Sequence, residues 1–489
     1  MNRLICTLAF VALAGWMAIA QPRPNILIIY TDDQGYGDVS ALNPEAKFKT
    51  PNMDRLAREG MTFTDGHSSD SVCTPSRYGL LTGRYSWRTR LKRGVLGAEG
   101  PCLIENGRMT LASLLRDHGY QTAMVGKWHL GMQFAGEKGK DRDWSKPFTD
   151  GPIEKGFDRF FGIPASMNYG ILTYLDQDRV TTPPTLWTRK KPGLVVHDRA
   201  SYRIMPPYDT ERDGNNLEVA PDFVDEEVLE VFTKKAMAWI REAARQPKPF
   251  FLYLAYTSPH KPVAPRQEFR GRSQCGAYGD FVVETDHRVG QILALLDELK
   301  IADNTMVIFT SDNGPENTWK GRIKMYGHRS AGIYRDGKRS RYEGGHRLPF
   351  IIRWPAVIKA GSTYEGPVCQ IDLLATFADM LNVSLPPNAG EDSFSFHPVL
   401  TGGRIERPAL IHHSAAGEFA IREGDWKLIV NKAPTGRGAA SVPVYELYNL
   451  RTDPSETTNL ADEHPALVSR LERLLERLKS SPRSVPLNR

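Results

Sequence analysis

Four clusters of polar residues follow directly on apolar, β-branched segments of the sequence. These segments end in Thr31-Asp32-Asp33, Gly126-Lys127-Trp128-His129, Thr257-Ser258-Pro259-His260 and Ser311-Asp312-Asn313. Apolar runs of this kind are typical of buried strands. Ligands of open α/β sheets bind beyond the carboxyl ends of the strands. Because the clusters combine carboxylates, histidines and a lysine, the sequence predicts a functional site where these strands end.

The oxygen-bearing residues of these clusters suggest a metal site. Asp32, Asp33, Asp312 and Asn313 offer carboxylate and amide oxygens. An oxygen-only set suits calcium, with magnesium as the alternative, and does not suit zinc. A single Asp is more often a helix cap or a turn residue. Adjacent carboxylates, however, repel each other unless a cation compensates them, so we expect a hard cation here.

The segment Cys73-Thr74-Pro75-Ser76-Arg77 has the features of a helix start. Thr74 and Pro75 are predicted as the cap and the first turn. Cys73 would then lie at the positive end of a helix dipole, where an anion is favoured. The guanidinium of Arg77 suits a sulfate or a phosphate. The alternative is a buried structural cysteine, which is the ordinary role of a lone Cys.

Apolar periodicity predicts the elements that would position these residues. Strands are predicted at Asn25–Tyr30, Thr122–Val125, Phe250–Tyr256, Thr305–Thr310 and Pro349–Arg353. Helical patterns lie between them at Pro51–Glu59, Thr110–His118, Asp225–Arg245 and Asp280–Lys300. Strands that alternate with helices indicate an α/β fold, with a mostly parallel sheet covered by helices on both faces.

Two further regions depart from this alternation. Residues 130–220 are rich in Pro, Gly and charge without a clear period, and we expect insertions over one rim of the sheet, where specificity often resides. Beyond residue 385 the sequence predicts short antiparallel strands and a last helix with a leucine stripe. The predicted organisation is therefore a signal at 1–20, a catalytic domain at 21–385 and a smaller C-terminal α+β subdomain at 386–489.

The first 20 residues have the pattern of an export signal. Arg3 precedes an apolar run from Leu4 to Ile19, and small residues before Gln21 offer a cleavage site. The run is short for a membrane span, and no later segment is long and apolar enough to be one. We therefore expect an exported protein, periplasmic or extracellular, without a membrane span.

The charge and the cysteines exclude several classes of protein. The net charge of +6 is mild for 489 residues, and basic and acidic residues are interspersed. No nucleic-acid footprint is visible, whereas a slight positive excess favours an anionic substrate. The cysteines beyond the signal (Cys73, Cys102, Cys275 and Cys369) have neither zinc-ribbon nor redox spacing. Any pairing among the last three stays open.

The Cys73–Arg77 segment, followed by Leu80-Leu81-Thr82-Gly83, resembles the signature of the type I sulfatases, in which the cysteine is oxidised to formylglycine. Further segments match this family in order and context: Asp32-Asp33, Gly126 to Gly131, Pro259-His260, Ser311 to Gly314, Gly337 to Ser340 and Tyr342 to Gly345. The resemblance covers about residues 24–385. The tail, with Trp426-Lys427-Leu428 and Glu446 to Leu450, is similar to the family's C-terminal subdomain. The resemblance implies an alkaline-phosphatase-like fold.

The resemblance also implies a role for each matching position. Formylglycine at position 73, made by a separate maturation enzyme, would attack the sulfur of the ester. One calcium ion would be held by Asp32, Asp33, residue 73, Asp312 and Asn313. Arg77, Lys127 and Lys338 would surround the sulfate oxygens. His260 would protonate the leaving oxygen, and His129 would help to remove a proton from the second hydroxyl of the nucleophile.

The substrate is expected to be a sulfated glycan. The sequence around Cys73 and the segment Gly156 to Gly162 resemble arylsulfatases and N-acetylgalactosamine-6-sulfatases, which implies a 6-O-sulfated galactose or N-acetylgalactosamine. Candidate sugar-binding residues at the rim are Asn168, Tyr169, Asp176, Arg179 and His328. Any of these residues could equally brace a loop.

Three alternatives stay open at this stage. A two-zinc phosphatase or phosphodiesterase of the same superfamily needs a histidine directly after the late aspartate, where this sequence has Asn313. A phosphonate monoester hydrolase can share the formylglycine. A catalytically inactive glycan-binding protein is disfavoured because all the catalytic positions named above are intact.

Overall fold

The structure is a computed structural model that describes residues 23–138, 140–188, 217–432 and 443–486. The predicted export signal lies outside these residues. Across the described ranges, no helix combines the length and the apolar character that crossing a bilayer requires.

The described residues form strands and helices that alternate along much of the chain. The strands are β1 (Asn25–Asp32), β2 (Met61–Phe63), β3 (Gly66–His67), β4 (Gln121–Lys127), β5 (Arg159–Ile163), β6 (Ile171–Leu172), β7 (Leu175–Asp176), β8 (Arg179–Val180), β9 (Leu186–Thr188), β10 (Leu217–Val219), β11 (Phe250–Pro259), β12 (Thr305–Ser311), β13 (Phe350–Arg353), β14 (Ser362–Tyr364), β15 (Val368–Cys369), β16 (Leu410–His413), β17 (Phe419–Glu423), β18 (Trp426–Lys432) and β19 (Pro443–Asn449). The helices are α1 (Pro51–Glu59), α2 (Cys73–Thr82), α3 (Leu111–Asp117), α4 (Val228–Ala243), α5 (Gly276–Glu298), α6 (Trp319–Tyr326), α7 (Glu343–His346), α8 (Leu373–Met380), α9 (His397–Leu400) and α10 (Pro465–Ser480).

Ten strands form the central sheet, in the order β14-β2-β13-β12-β1-β11-β4-β5-β7-β8. The five strands from β12 to β5 are parallel, and antiparallel pairs flank them at β12–β13 and β5–β7. The carboxyl ends of β1, β4, β11 and β12 therefore lie at one edge of the sheet. This arrangement confirms the predicted mostly parallel α/β sheet.

Helices cover both faces of the sheet, as the alternation along β1 requires. Ile26, Ile28 and Tyr30 pack on one face with α2, α3 and α8. Leu27 and Ile29 pack on the opposite face with α1, α4 and α5. Residues of the central strands are buried on both sides, which explains why their sequences are continuously apolar.

Helix α2 begins earlier than predicted. Val72 is the residue before the first turn and Cys73 is the first helical residue, so Thr74 is not the cap. The Thr74 hydroxyl is engaged elsewhere, because it donates to the carbonyl oxygen of His129 at 2.9 Å. Gly83 ends the helix at a φ of 65°, a conformation that favours glycine. Cys73 still lies at the helix N-terminus.

The C-terminal part contains a four-stranded antiparallel sheet in the order β16-β17-β18-β19. Helix α10 packs on it through Leu471 and Leu475, which contact Ile421 and Leu428 within one apolar cluster. Helix α9, although it follows residue 385, packs into the main core through Val399 and Leu400. The apolar cluster of the small subdomain combines residues from β16 onward with Tyr85, Trp87, Cys369 and Ile371 of the main part of the chain, so the two parts share this core.

Candidate active site

The ends of two adjacent strands bring the predicted metal-binding residues together. Asp32 is the last residue of β1, and Asp312 directly follows β12, which pairs with β1 in parallel. The backbone N–H of Asp33 donates to Asp312 Oδ1 at 3.1 Å. Asn313 Nδ2 donates to Asp33 Oδ1 at 2.7 Å. All four side chains are buried.

Two of the site residues have left-handed backbone conformations. Asp33 has a φ of 64° and His129 has a φ of 58°. Such conformations are uncommon for residues other than glycine, and they cluster at functional sites. At both positions the chain turns instead of continuing as a strand, and the side chain faces the site.

Each of the three carboxylates meets a buried cation. Arg77 Nη2 lies 2.9 Å from Asp312 Oδ2, Lys127 Nζ lies 2.5 Å from Asp32 Oδ2, and Lys338 Nζ lies 2.5 Å from Asp33 Oδ1. We call these six side chains the catalytic cluster. Its three negative and three positive charges balance, which is what burial of so many ionised groups demands.

Cys73 lies inside this cluster. Its Sγ is 3.6 Å from Asp32 Oδ1 and 3.5 Å from Lys338 Nζ. Burial raises the pKa of the Cys73 thiol to about 12, although Lys127 and Lys338 act in the opposite direction. The unmodified residue is therefore a protonated thiol at neutral pH, which is a weak nucleophile.

The donor set fits a hard cation. Asp33 Oδ2 and Asn313 Oδ1 are buried and have no hydrogen-bond partner among the described residues. Ligating atoms of Asp32, Asp33, Cys73 and His260 all lie within 4.8 Å of one another. Buried carboxylate and amide oxygens that lack donors suit a hard cation such as calcium. Lys127 and Lys338 compensate the same carboxylates from the side.

The two histidines present different ring nitrogens to the site. His129 Nε2 lies 3.0 Å from the carbonyl oxygen of Leu96, which can only accept, so Nε2 carries the proton. His129 Nδ1 is then an acceptor, and it is buried without a partner among the described residues. Burial lowers the pKa of His129 well below its usual value, helped by the charge of Lys127. His129 is thus neutral, and its Nδ1 is an acceptor that faces the site.

His260 is oriented by a carbonyl in the same way. Its Nδ1 lies 2.6 Å from the carbonyl oxygen of Lys261, and its Nε2 lies 3.7 Å from Asp33 Oδ2. Burial lowers the pKa of His260 to about 3, against the opposing effect of Asp33. Nε2 therefore faces the site without a proton in this state, and it must gain one before it can donate.

The structure separates the five candidate sugar-binding residues. The Tyr169 ring lies 5.1 Å from the His129 ring, between centroids, and so lies beside the site. The neighbouring Asn168 has a buried Oδ1 without a partner among the described residues. Asp176 and Arg179 lie on the outer strand pair β7–β8, where Asp176 faces Lys235 at 3.6 Å and Arg179 donates to the Ser145 carbonyl.

His328 does not lie on the rim. It is fully buried, and its Nε2 lies 2.7 Å from Asp38 Oδ1, while its Nδ1 accepts from the Lys47 backbone N–H. Both ring nitrogens are therefore used to hold loops together. The sequence shows a histidine between polar loops, but it does not show that both of its nitrogens are satisfied.

An ion-paired group beside the site has no counterpart among the predicted site residues. Arg339, next to Lys338, pairs with Glu316 through Nη2 at 2.9 Å, and Lys261 Nζ lies 3.7 Å from Glu316. The pKa of Glu316 is lowered to about 2, although burial opposes this, chiefly because Arg339 donates to its carboxylate. The only signal for this group in the sequence is that Arg339 follows Lys338 within the segment Gly337 to Ser340, which resembles the family.

The fold is that of the alkaline-phosphatase-like hydrolases, and the site contains a buried group of candidate metal ligands. Residues 24–383 match the sulfatase family, and residues 332–481 match the C-terminal domain of N-sulphoglucosamine sulphohydrolase. The chain belongs to the sulfatase family and is a sulfuric ester hydrolase. This confirms the family resemblance seen in the sequence.

Individual relatives agree with this assignment. The chain is 34% identical to an N-acetylgalactosamine-6-O-sulfatase of Bacteroides thetaiotaomicron, over 94% of this chain and 93% of the relative. It is 34% identical to human arylsulfatase A, over 92% and 85%. A solved structure from work on the metabolism of multiple glycosaminoglycans by Bacteroides thetaiotaomicron has a TM-score of 0.80 at 33% identity, covering 94% of this chain and all of that chain.

A more distant neighbour shows the reach of the fold. The phosphonate monoester hydrolase of Agrobacterium radiobacter superposes with a TM-score of 0.60 at 19% identity, covering 94% of this chain and 96% of that chain. At that identity the likeness concerns the fold alone.

Proposed function

We propose that this sulfatase uses a formylglycine made from Cys73 together with one calcium ion. We further propose that it removes sulfate from a 6-O-sulfated galactose or N-acetylgalactosamine residue. The observation that supports the proposal best is the position of Cys73 Sγ, 3.6 Å from Asp32 Oδ1 and 3.5 Å from Lys338 Nζ, inside a buried cluster of paired charges.

The position of residue 73 suits a nucleophile that must be held at one point. It starts helix α2, whose N-terminus favours negative charge. Oxidation to formylglycine and hydration of the aldehyde would supply a hydroxyl that attacks the ester sulfur and a second hydroxyl that later expels the sulfate. A separate formylglycine-generating enzyme would carry out the oxidation.

Asp32, Asp33, Asp312 and Asn313 would hold the calcium, together with the group at position 73. When bound, the ion would supply Lewis-acid polarisation of a sulfate oxygen and would lower the pKa of the nucleophile. The two buried oxygens without partners, Asp33 Oδ2 and Asn313 Oδ1, support this assignment. The absence of a histidine after Asp312 argues against the two-zinc alternative.

Arg77, Lys127 and Lys338 would bind the sulfate group. Their three charges are balanced by carboxylates in this structure, so a divalent cation would leave the cluster net positive. A positive, water-poor pocket stabilises the negative charge that spreads over the oxygens in the transition state. Tyr253 fixes Arg77 from behind, accepting from Nη1 at 3.3 Å.

The two histidines would transfer protons on different sides of the reaction. His129 Nδ1, an acceptor without a partner, would take the proton of the second hydroxyl. His260 Nε2 would donate to the leaving sugar oxygen after taking up a proton, which an adjacent anionic ester favours.

The substrate assignment rests on the relatives. One is an N-acetylgalactosamine-6-O-sulfatase of Bacteroides thetaiotaomicron and another an N-acetylgalactosamine-6-sulfatase of the dog, the latter 32% identical over 85% of this chain. Tyr169 would contact the sugar, and its ring position beside His129 supports this assignment. Export to the periplasm or beyond, where polymeric glycans are met, is part of the same proposal.

Three measurements test the proposal. Peptide mass spectrometry of the active enzyme should find an aldehyde in place of the thiol at position 73, and metal analysis should find one calcium per chain. Sulfate release from defined oligosaccharides should be fastest at the 6-position of galactose or N-acetylgalactosamine. Full activity with an unmodified Cys73 thiol would falsify the nucleophile, and turnover restricted to 2-O- or 4-O-sulfated sugars would reject the substrate.

A further inference from the structure

A large basic cavity lies apart from the catalytic cluster. It has a volume of about 870 Å³ and is lined by the segment after α2, the β16–β17 turn and the end of α10. None of the residues assigned to catalysis or to metal binding lines it. The volume is within the range of small-molecule binding sites.

The lining is strongly cationic. Arg84, Arg88, Lys92, Arg93, Lys479 and Arg483 all line the cavity, against a single lining carboxylate, Glu391. Glu391 is already paired with Arg84 at 3.3 Å and with Arg108 at 3.0 Å. The cavity therefore has an excess of positive charge that no lining carboxylate compensates.

Three of these cations are available to an anion. Among the described residues, Lys92, Arg93 and Arg483 have no carboxylate partner: Lys92 donates to the Trp87 carbonyl, and Arg483 donates to the carbonyls of Pro387 and Val485. Lys92 and Arg93 are exposed. Arg88, in contrast, is held by Asp392 at 2.8 Å.

Aromatic rings accompany the cations. Trp87 and Phe419 both line the cavity, and their rings meet edge to face with centroids 5.6 Å apart. Lys479 lies over the Phe419 ring at 4.7 Å. Cations beside flat apolar surfaces suit a ligand that is both anionic and ring-shaped, as a sulfated sugar is.

A short backbone segment separates a residue of the cavity from a residue beside the catalytic pocket. Arg93 precedes Leu96 by three residues, and the Leu96 carbonyl accepts from His129 Nε2 at 3.0 Å. Three extended residues span at most about 11 Å. This separation is within the length of an oligosaccharide of a few sugars.

We propose that this cavity binds the anionic groups of a sulfated oligosaccharide at sugars next to the one that is desulfated. The inference rests on the proposed glycan substrate and extends it, because it makes the preferred substrate a polyanionic chain and not a monosaccharide. Lys92 and Arg93 would bind sulfate or carboxylate groups of the chain, and Phe419 would lie beside its rings. Trp87, which is buried and covered by Tyr85 and Arg88, would hold Phe419 in place.

The test compares two double variants that remove the same charge. Lys92→Ala/Arg93→Ala removes two exposed cations of the cavity. Arg245→Ala/Lys248→Ala removes two exposed cations near the start of β11, at the opposite edge of the sheet from the site. For a chondroitin 6-sulfate tetrasaccharide, the cavity variant should raise KM roughly tenfold at low salt. The control variant should leave this KM unchanged.

A small aryl ester separates binding from catalysis and from folding. Both variants should hydrolyse nitrophenyl sulfate with unchanged kcat and KM, because this ester does not reach the cavity. Arg93→Gln alone should shift the tetrasaccharide KM in the same direction by a smaller factor. Equal tetrasaccharide KM values in the two double variants would overturn the proposal, as would equal KM values for the tetrasaccharide and its 6-sulfated monosaccharide in the unchanged enzyme.

Direct binding distinguishes this inference from the proposed substrate. In a Cys73→Ser background, calorimetry should show a roughly tenfold weaker Kd for the tetrasaccharide when Lys92 and Arg93 are replaced by alanine. If the double replacement weakens binding in this way but the active enzyme does not hydrolyse the tetrasaccharide, the cavity is supported and the substrate assignment is rejected. An unchanged Kd, or no binding at all, rejects the cavity.

Discussion

Two buried clusters in this protein each combine three carboxylates with three cations, but only one of them is a candidate metal site. The catalytic cluster balances three carboxylates against Arg77, Lys127 and Lys338. A second group, which we call the interface cluster, balances three carboxylates against three cations where α7 and β3 meet the C-terminal sheet. Its members are Asp65, Glu343, Glu456, Arg347, Arg422 and Lys427.

Every carboxylate of the interface cluster lies within ion-pair distance of one of its cations. Lys427 Nζ lies 2.8 Å from both Glu343 and Glu456, and Arg422 lies 2.6 Å from Asp65. In the catalytic cluster, by contrast, Asp33 Oδ2 and Asn313 Oδ1 remain without donors among the described residues. Burial and charge balance are thus common to both clusters. Glu456 Oε1 of the interface cluster also lacks a hydrogen bond, but it lies 2.8 Å from Lys427 Nζ. The unpaired oxygens of Asp33 and Asn313, which follow adjacent strands, make the catalytic cluster the candidate for binding a cation.

Three histidines lie beside the interface cluster and, together with Glu343, could be mistaken for a metal site. Ligating atoms of His67, Glu343, His346 and His412 lie within 4.8 Å of one another. The rings of His346 and His412, however, are stacked at 3.6 Å with an interplanar angle of 9°. Nitrogen lone pairs lie in the plane of their ring, so two parallel stacked rings cannot both point at one ion. Proximity of ligand types is therefore not sufficient for metal binding.

The largest expected effect concerns His260, which contacts the catalytic cluster at Asp33. Replacing His260 with alanine should lower turnover of a sugar sulfate by about 10²–10⁴-fold, since a sugar oxygen is a poor leaving group without a proton. Nitrophenyl sulfate should be affected far less, because nitrophenolate leaves unprotonated. Single-turnover rates on both esters measure the difference.

The control for this experiment is Lys338→Met, which removes a sulfate-binding charge and should slow both esters alike. If His260→Ala also slows both esters equally, His260 is a binding or structural residue and another group supplies the proton.

The second prediction applies the same type of substitution to the interface cluster. Lys427→Met leaves Glu343 and Glu456 buried without their shared cation, which should lower the free energy of unfolding by about 3–5 kcal/mol. Urea unfolding measures the loss. The kcat per correctly folded, formylglycine-containing molecule should stay unchanged. The polar contacts of Lys427 within the described residues are with Glu343, His346 and Glu456, none of which belongs to the catalytic cluster.

Lys338→Met is again the matched control, with the opposite pattern: activity should fall while the calcium-loaded protein loses less stability. A Lys427→Met protein of normal stability and greatly reduced kcat would invert the comparison between the clusters.

Much of the main sheet was predictable from the sequence, and the interface cluster was not. Strands β1, β4, β11 and β12 were predicted within three residues at each end, because buried parallel strands are continuously apolar. Helix α1 was predicted with its observed bounds. The segments around Glu343 and Lys427 matched the family, but no local pattern reveals that residues 84 positions apart form an ion pair.

The catalytic cluster was more accessible to prediction because its residues sit at strand ends. The sequence placed Asp32, Lys127, His260 and Asp312 at the edge of one sheet, and the structure brings them together there. Thr74 was wrongly predicted as the cap of α2, and for His328 the structure favours the alternative that it braces a loop. In both cases tertiary hydrogen bonds, which the local sequence does not show, decide the role of the side chain.

The third prediction uses the proposed calcium ion to separate the clusters. Chelation should lower the melting temperature, because an ion bound to the native state at 100 times its Kd stabilises it by about 2.7 kcal/mol. Differential scanning calorimetry with and without chelator measures the shift. The shift should disappear in Asp33→Asn and persist in Lys427→Met.

The calcium prediction has a clear contrary result. Metal-depleted protein with an unchanged melting temperature would show that the unpaired oxygens of Asp33 and Asn313 do not hold a structural ion. Two zinc ions per chain would favour the phosphatase alternative.

The smallest expected effect is at His412, and it tests whether the interface cluster is purely structural. His412 lies on β16 with 1% of its surface exposed, and neither ring nitrogen has a hydrogen-bond partner among the described residues. Replacing it with leucine exchanges an unsatisfied polar ring for an apolar side chain, so the free energy of unfolding should change by less than about 1.5 kcal/mol.

The matched variant is His346→Leu, which leaves the Arg341 carbonyl and His67 Nδ1 without a partner they now have at 3.0 Å. That loss should cost about 1–3 kcal/mol. Urea unfolding of both proteins, with and without chelator, makes the comparison. If chelator destabilises the unchanged protein but has no effect on Asp33→Asn, the ion concerned is the one at the catalytic cluster. If His412→Leu is strongly destabilised and chelator still destabilises Asp33→Asn, His412 binds a metal and the interface cluster is not purely structural.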